Sequence, residues 1–273
     1  MKLSKIYEIA DQIAPKRLSD NYCKMHGAYD NSGLLVEASE EIHGILFTLD
    51  LTNTAIDEAI EKGADLIITH HPVIYGKLGN ICMSDEKLLG EKLVRCLKNG
   101  ISIISMHLNL DMAVGGTDES LMQGIYVSAE KTTGAGMRSD IKILSPVDEG
   151  GYGRCYEIPE ISLGELVSNL KKEFQTERII TYGNLEDKIT RVASFCGAGG
   201  DEEAVLFAKR EGADVVLSAD FKHHVIMLAQ ELGLSVIAMT HYASEQYGFK
   251  NYYKKICQSV DVPCAYHTDE YLL

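Results

Sequence analysis

The segment GADLIITHH at residues 63–71 is repeated as GADVVLS at residues 212–218, and in each copy a short apolar run follows Gly-Ala-Asp. The first run ends in two histidines, and Asp220 and His224 follow the second. An apolar run that starts after glycine and stops at His or Asp is typical of a buried strand. Because ligands of α/β sheets bind at the carboxyl ends of the strands, both runs predict polar groups at a binding crevice.

A second pair of runs has the same design. GISIISMH at residues 100–107 leads to Asp111, and GLSVIAMTH at residues 233–241 leads to Glu245. The four predicted strands are thus followed by His, Asp or Glu, and the order of the parts is the same in both halves of the chain. This convergence predicts one shared metal site.

Helices are predicted between these strands. Apolar residues recur at helical spacing over residues 52–62, 85–98, 162–174, 201–210 and 224–232, and further strands are predicted at residues 45–49 and 191–196. Alternation of this kind is typical of βαβ units. We therefore expect an α/β fold with two similar, pseudo-duplicated layered domains, mixed sheets, and the metal site in the cleft between the domains.

The domain boundaries are predicted from a loosening of this alternation. Glycines interrupt the pattern between residues 115 and 151, which indicates a domain change or an exposed loop. We predict a first domain over residues 1–125 and a second over residues 126–240. Residues 241–273 are expected to return to the first domain, because the polar groups after the fourth strand would share its metal site.

The composition disfavours several classes of function. The chain has 273 residues, a net charge of −14 and no basic run, so it lacks the electrostatic source of nucleic-acid binding. Its seven cysteines are scattered and never spaced C-x-x-C, which favours free thiols in a reducing cytosol. The amphipathic start does not have the pattern of a signal peptide, and no apolar run reaches membrane-spanning length. We expect a cytoplasmic protein without membrane or nucleic-acid partners.

The candidate ligands have spacings that suit a pair of metal ions. His70 and His71 are adjacent, so each imidazole can bind one of two neighbouring ions. His241 and Glu245 are four residues apart, which places them on one face of a helix. Asp111 is a natural bridging carboxylate. Nitrogen ligands mixed with carboxylates favour zinc, iron or manganese over calcium or magnesium.

Three further residues are candidates for supporting roles. His107 either orients Asp111 or a metal-bound water from outside the ligand set, or is a buried, hydrogen-bonded histidine. Asp220 and His224 follow the strand that repeats the one before the histidine pair, and they are candidate acid or base groups. For Asp220, capping of the next helix is the competing interpretation.

A glycine-rich turn is predicted between the strand at residues 191–196 and the following helix. The backbone N–H groups of Gly197, Gly199 and Gly200 have the placement that binds phosphate at the start of a helix. The turn lacks the Lys-Ser/Thr sequel of a P-loop, and Asp201 beside it would repel phosphate. A tight turn that only admits the helix is the equal alternative.

Several of these motifs together resemble one family. They are LIITHHP at residues 66–72, HLNLD at 107–111, HYASE at 241–245, DNSGL at 30–34 and CGAGG at 196–200. In this order they closely resemble the dinuclear-metal, ring-forming family known as GTP cyclohydrolase I type 2 or NGG-interacting-factor-like proteins. The likeness covers nearly the whole chain and is to the short members, which lack an inserted middle domain.

The resemblance implies a ligand set, an assembly and an activity. It implies that His70, His71, Asp111, His241 and Glu245 bind two divalent metal ions, and that the chain forms a hexameric toroid. It further implies a dinuclear metal-dependent hydrolase that acts on a small molecule, with opening of the GTP imidazole ring as the family's activity. The alternative is a non-enzymatic, ring-shaped scaffold that handles metal or binds a protein partner.

Overall fold

The computed structural model of the chain describes residues 1–84, 86–130 and 140–273. These residues form two compact units: Met1–Ala113 with Phe249–Thr268, and Val114–Gly248 with Asp269–Leu273. Asp85, where a predicted helix begins, and Gly134 and Gly136 of the glycine-rich stretch lie outside the described residues.

The first unit contains one mixed sheet with helices. Its elements in chain order are α1 (Leu3–Ile13), α2 (Lys16–His26), β1 (Gly33–Val36), β2 (Ile45–Thr48), α3 (Asn53–Lys62), β3 (Leu66–Thr69), α4 (Leu89–Lys98), β4 (Ser102–Ser105) and α5 (Leu108–Met112). The last strand, β11 (Cys264–Tyr266), lies in the tail of the chain, residues 241–273. It completes the sheet, whose strand order is β1-β4-β3-β2-β11. β1 is antiparallel to β4, and the other neighbours are parallel.

The central strands of this sheet are buried along their whole length, as expected for parallel strands with helices on their faces. Ile67 and Ile103 pack in one apolar cluster with Ile56 of α3 and Leu93 of α4. α3 begins where the Thr52 hydroxyl accepts the N–H of Ala55 at 3.1 Å.

The second unit contains a larger mixed sheet. Its elements are α6 (Thr117–Ala129), β5 (Lys142–Val147), β6 (Gly150–Ser162), α7 (Leu163–Glu173), β7 (Ile180–Tyr182), β8 (Lys188–Ser194), α8 (Glu202–Arg210), β9 (Val215–Ser218), α9 (His223–Glu231), β10 (Ser235–Ala238) and the start of α10 (His241–Cys257). The sheet order is β5-β6-β8-β9-β10-β7. The strands β8, β9 and β10 run parallel, and the remaining pairs are antiparallel.

The repeated Gly-Ala-Asp segments have the same structure in both units. Gly63 and Gly212 each stand just after a helix. Both have the left-handed backbone conformation that glycine adopts without strain. The Asp65 carboxylate accepts the backbone N–H of His43 at 2.8 Å, and that of Asp214 accepts the N–H of Thr190 at 2.8 Å. The carbonyls of the same aspartates accept the N–H that starts the next strand, at 2.9 and 3.0 Å. Each repeat therefore fixes two parallel strands in register.

The glycine-rich stretch between residues 115 and 151 contains more regular structure than its sequence indicates. α6 lies in this stretch, and the hairpin of β5 and β6 extends into and beyond it. α6 is buried on nearly all sides, so its sequence has no single apolar stripe to reveal a helix. Leu121 and Ile125 of α6 pack in the core of the second unit. The first unit therefore ends at Ala113 rather than at the predicted residue 125.

Residues of the tail belong to both units. β11 pairs with β2, and its residues belong to the first unit. The first residues of α10, however, belong to the second unit, where the Tyr247 ring packs against Phe174 at a tilt, with centroids 4.7 Å apart. The final residues, Asp269–Leu273, also belong to the second unit. Within the described ranges, none of the helices has the length and apolar character needed to cross a membrane.

Candidate metal centre

The first group of candidate ligands starts where β3 ends. His70 is fully buried, and its backbone N–H donates to the carbonyl of Leu49 at 3.2 Å. Its Nδ1–H donates to the carbonyl of Met106 at 2.7 Å, since a carbonyl oxygen can only accept. The ring is thereby fixed as the tautomer whose lone pair is on Nε2. The carboxylate of Asp111, on the short helix α5, lies 3.5 Å from that Nε2.

His71 and His107 are oriented by carboxylates. The Nδ1–H of His71 donates to Asp50 at 2.9 Å, and the Nδ1–H of His107 donates to Asp30 at 2.7 Å. Asp50 follows β2, and Asp30 precedes β1. A carboxylate that accepts one ring N–H directs the other nitrogen towards a metal ion and makes it more basic.

The Asp30 carboxylate is held in its charged form. Burial by itself raises its pKa, but hydrogen bonds from His107, Ser19 and Ser32 and the electrostatic attraction of the His107 ring outweigh this effect. The pKa of Asp30 is therefore well below its usual range. The Ser19 and Ser32 hydroxyls donate to the same oxygen of Asp30 at 2.6 and 2.5 Å.

The three imidazoles of the first unit form a cluster. Donor atoms of His70, His71 and His107 all lie within 4.8 Å of one another. The ring centroids are 5.0 to 5.7 Å apart. Distances of this size occur between ligands of one cation or of two neighbouring cations. His107, predicted to act from outside the ligand set, therefore has the placement of a third nitrogen donor.

The second group of candidate ligands lies at the start of α10. His241 and Glu245 are one helical turn apart, and Nε2 of the histidine is 2.9 Å from Oε1 of the glutamate. Glu245 is 3% exposed. The Nδ1–H of His241 donates to the Asp220 carboxylate at 2.5 Å. The second unit thus contains the same arrangement as the first, a histidine whose ring N–H is hydrogen-bonded to an aspartate.

Asp220 has a positioning role in this arrangement. Its backbone is left-handed, with φ at 52°, a conformation that costs a residue with a side chain about 1–2 kcal/mol and is often found at functional sites. It does not cap the next helix, because the N-cap position of α9 is Lys222. The competing interpretation of Asp220 as an N-cap is therefore wrong.

His224 lies apart from this pair. Its side chain is 63% exposed, and its Nε2 is 3.4 Å from Oε1 of Glu202. It lines a cavity of about 370 Å³ together with Asp220 and Asp201. A proton-transfer role for His224 therefore stays a prediction that depends on a substrate reaching this cavity.

The glycine-rich turn packs against the second ligand group. A Cβ atom at Gly197 would collide with Oε1 of Glu245 and lie 3.3 Å from Nε2 of His241. Side chains at Gly199 and Gly200 would meet Tyr152 and Phe221. Close packing is thus a sufficient reason for all three glycines, and phosphate binding by this turn stays a prediction.

A buried ion pair supports the same turn. Asp118 on α6 is fully buried and accepts hydrogen bonds from the Arg154 guanidinium, from the N–H of Gly153 at 3.0 Å and from the N–H of Cys196 at 3.0 Å. The next N–H, of Gly197, donates to the Ser244 hydroxyl at 3.0 Å. The turn is therefore tied both to the ion pair and to the helix that carries the ligands.

Sequence reasoning assigned no role to Asp30, Asp50, Asp118 or Ser244. Asp50 stands two residues after the buried strand β2, a signal that could have identified it. His107 is 77 residues from Asp30, and Arg154 is 36 residues from Asp118, so spacing gives no indication of these contacts.

Comparisons with known proteins agree with this architecture. Residues 1–268 match the family profile of Duf34/NIF3 (NGG1p interacting factor 3). A Clostridium perfringens protein named GTP cyclohydrolase 1 type 2 homolog is 33% identical over 250 residues, which cover 90% of this chain and 87% of that protein. The Schizosaccharomyces pombe protein named Protein NIF3 homolog is 30% identical over 257 residues, which cover 89% and 84% of the two chains.

Solved structures show the same fold. Reduced HcgD from Methanocaldococcus jannaschii superposes with a TM-score of 0.76 and 27% identity over 97% of each chain. A Bacillus cereus protein related to NIF3 gives a TM-score of 0.79 at 20% identity, over 100% of this chain and 99% of that one. Since the family profile matches nearly the whole length, the chain belongs to the Duf34/NIF3 family.

Proposed function

We propose that this protein is a dinuclear metal-dependent hydrolase that acts on a small molecule. In this proposal His70, His71, Asp111, His241 and Glu245 hold two divalent cations, which are zinc, iron or manganese. The observation that carries the proposal is the cluster of three imidazoles in the first unit, each with its Nδ1 engaged by an oxygen acceptor. Histidines that bind metal ions typically donate their other ring N–H to an oxygen acceptor in this manner.

The bound cations would supply Lewis-acid polarisation of a substrate oxygen and activation of a water molecule. The chain's own residues have complementary tasks. Asp50 and Asp220 hold the imidazoles of His71 and His241 in one tautomer and orientation. Asp220 and His224 are the proposed groups for proton transfer, since both line one cavity of the second unit.

The proposed substrate is a nucleotide. Several relatives carry the name GTP cyclohydrolase 1 type 2 homolog, which supports ring opening of GTP as the first activity to test. Family membership also supports a homohexameric ring in the cytoplasm as the proposed assembly and location.

The second candidate function is a metal-holding scaffold without turnover. The family description, NGG1p interacting factor 3, refers to binding of a protein rather than to catalysis, and this name favours the alternative. A scaffold would exchange its metal readily with a chelator and would not turn over nucleotides in any metal form.

Substitution of Glu245 by glutamine tests the hydrolase. The change keeps the buried shape but removes the charge that would bind a cation. We expect GTP turnover by the manganese-loaded protein to fall by about 100-fold or more, since loss of groups that only support ligands already costs about 10–100-fold. Glu231→Gln, at the exposed end of α9, is the matched control and should leave turnover unchanged. Equal turnover in wild type and Glu245→Gln would refute the proposed role, and no turnover in the wild type would favour the scaffold.

A further inference from the structure

A cavity of about 280 Å³ lies beside His71 in the first unit. Its lining combines basic, acidic, hydroxyl-bearing, aromatic and apolar side chains. They are Asp50, Leu51, Thr52, His71, Pro72, Val73, Tyr75, Lys87, Leu89 and Lys92. A candidate metal ligand and two lysines therefore line one space, which nothing in the spacing of the sequence had indicated.

The charged lining favours an anion. Lys87 precedes α4 and Lys92 lies in its first turn. The carboxylate of Asp50 in the same lining accepts a hydrogen bond from the His71 ring. In a chain with a net charge of −14, this lining contains two lysines and one carboxylate, so positive groups outnumber negative ones here. Lysine binds phosphoryl and carboxylate groups as a compact positive charge.

The rest of the lining favours an aromatic or apolar body next to that anion. Tyr75 is 64% exposed, yet its ring packs edge-on against Tyr29, with centroids 5.5 Å apart and planes at 87°. Its hydroxyl donates to the carbonyl of Tyr29 at 3.2 Å. Val73 and Leu89 pack against the core cluster of the first unit. An exposed ring held in place, beside apolar side chains fixed by the core, is suited to contact a flat ligand.

We propose that this cavity binds the anionic end of a small aromatic molecule, with Lys87 and Lys92 at the anion and Tyr75 at the ring. We further propose that this molecule is the substrate, and that step rests on the proposed hydrolase. The binding step does not rest on it. The anion is a phosphate ester or a carboxylate, and both present the same charge to the lysines. The binding itself needs no metal ion.

Calorimetric titration of the full chain after chelator treatment tests this site. The probes are phenyl phosphate, benzoate and inorganic phosphate. Loss of one surface charge contact is worth about 0.2–1 kcal/mol, so Lys87→Gln and Lys92→Gln should each weaken phenyl phosphate about 1.4- to 5-fold, and the double variant about 2- to 30-fold. Lys98→Gln, at the other end of α4, is the matched control and should not change the affinity.

Tyr75→Ala separates the two parts of the site. It should weaken phenyl phosphate but leave inorganic phosphate unchanged, because only the first probe has a ring. Binding of phenyl phosphate without benzoate supports a phosphate ester, and the reverse supports a carboxylate. Absence of binding of both in the metal-free protein, or an equal loss in Lys98→Gln, would overturn the proposal. Neither result bears on metal binding, so this site and the hydrolase can fail independently.

Discussion

Replacement of Asp118 by alanine is expected to lower the free energy of unfolding by about 3–5 kcal/mol, because it leaves the Arg154 guanidinium buried without its main partner. Arg154 is 3% exposed, and its next carboxylate, Glu119, is 3.8 Å away. The same change removes the acceptor for the N–H groups of Gly153 and Cys196. Urea denaturation of the full chain measures the loss.

Lys188→Ala is the control for this prediction. It breaks the ion pair with Glu160, whose atoms are 2.7 Å apart but whose side chains are 73% and 56% exposed. Exposed pairs contribute little, so this variant should unfold close to the wild type. Unfolding of Asp118→Ala at the same urea concentration as Lys188→Ala would contradict the importance of the buried pair.

Replacement of Gly197 by alanine is expected to reduce affinity for a divalent cation by about 10–100-fold, the range seen when groups supporting metal ligands are altered. The new Cβ would collide with Oε1 of Glu245 and lie 3.3 Å from Nε2 of His241. The turn cannot move away easily, since the N–H groups of Cys196 and Gly197 are bonded to Asp118 and Ser244. Titration with manganese or zinc measures the change.

Gly212→Ala isolates the effect of that collision. Gly197 and Gly212 have φ angles of +59° and +73°, so alanine has a similar backbone cost at both positions. At Gly212 the added Cβ meets no atom of the described chain within 4 Å. Both variants should lose stability, but only Gly197→Ala should lose metal affinity. Equal metal affinity in the two variants would show that the turn does not position the ligands.

The four strands that carry the repeated motif were predictable from sequence. Residues 66–69 and 215–218 match β3 and β9 at both ends, because glycine and a polar side chain bound each apolar run. The mixed sheets and their two α/β units were confirmed as well. In these segments the local sequence pattern and the tertiary burial agree, so one sequence is sufficient to predict the strands.

Burial on all sides and long-range pairing were not predictable. α6 has no apolar stripe because almost its whole circumference is buried, and the glycines around it indicated a loop. The aspartates that orient the imidazoles are separated in sequence from their histidines. Asp50 is 21 residues from His71, and Asp30 is 77 residues from His107. The sheet order brings each pair into contact. The position of Asp50 after a buried strand was a usable signal, whereas no local sign in the sequence links Asp30 to His107.

Metal content of the purified chain is the most direct test of the central claim. Elemental analysis should find close to two divalent ions per wild-type chain and clearly fewer in both His70→Ala and His241→Ala. His43→Ala, which changes a histidine paired with Asp65 at the surface, should retain the wild-type content. A wild-type protein that contains no metal and takes up none on reconstitution with zinc, iron or manganese would contradict the account.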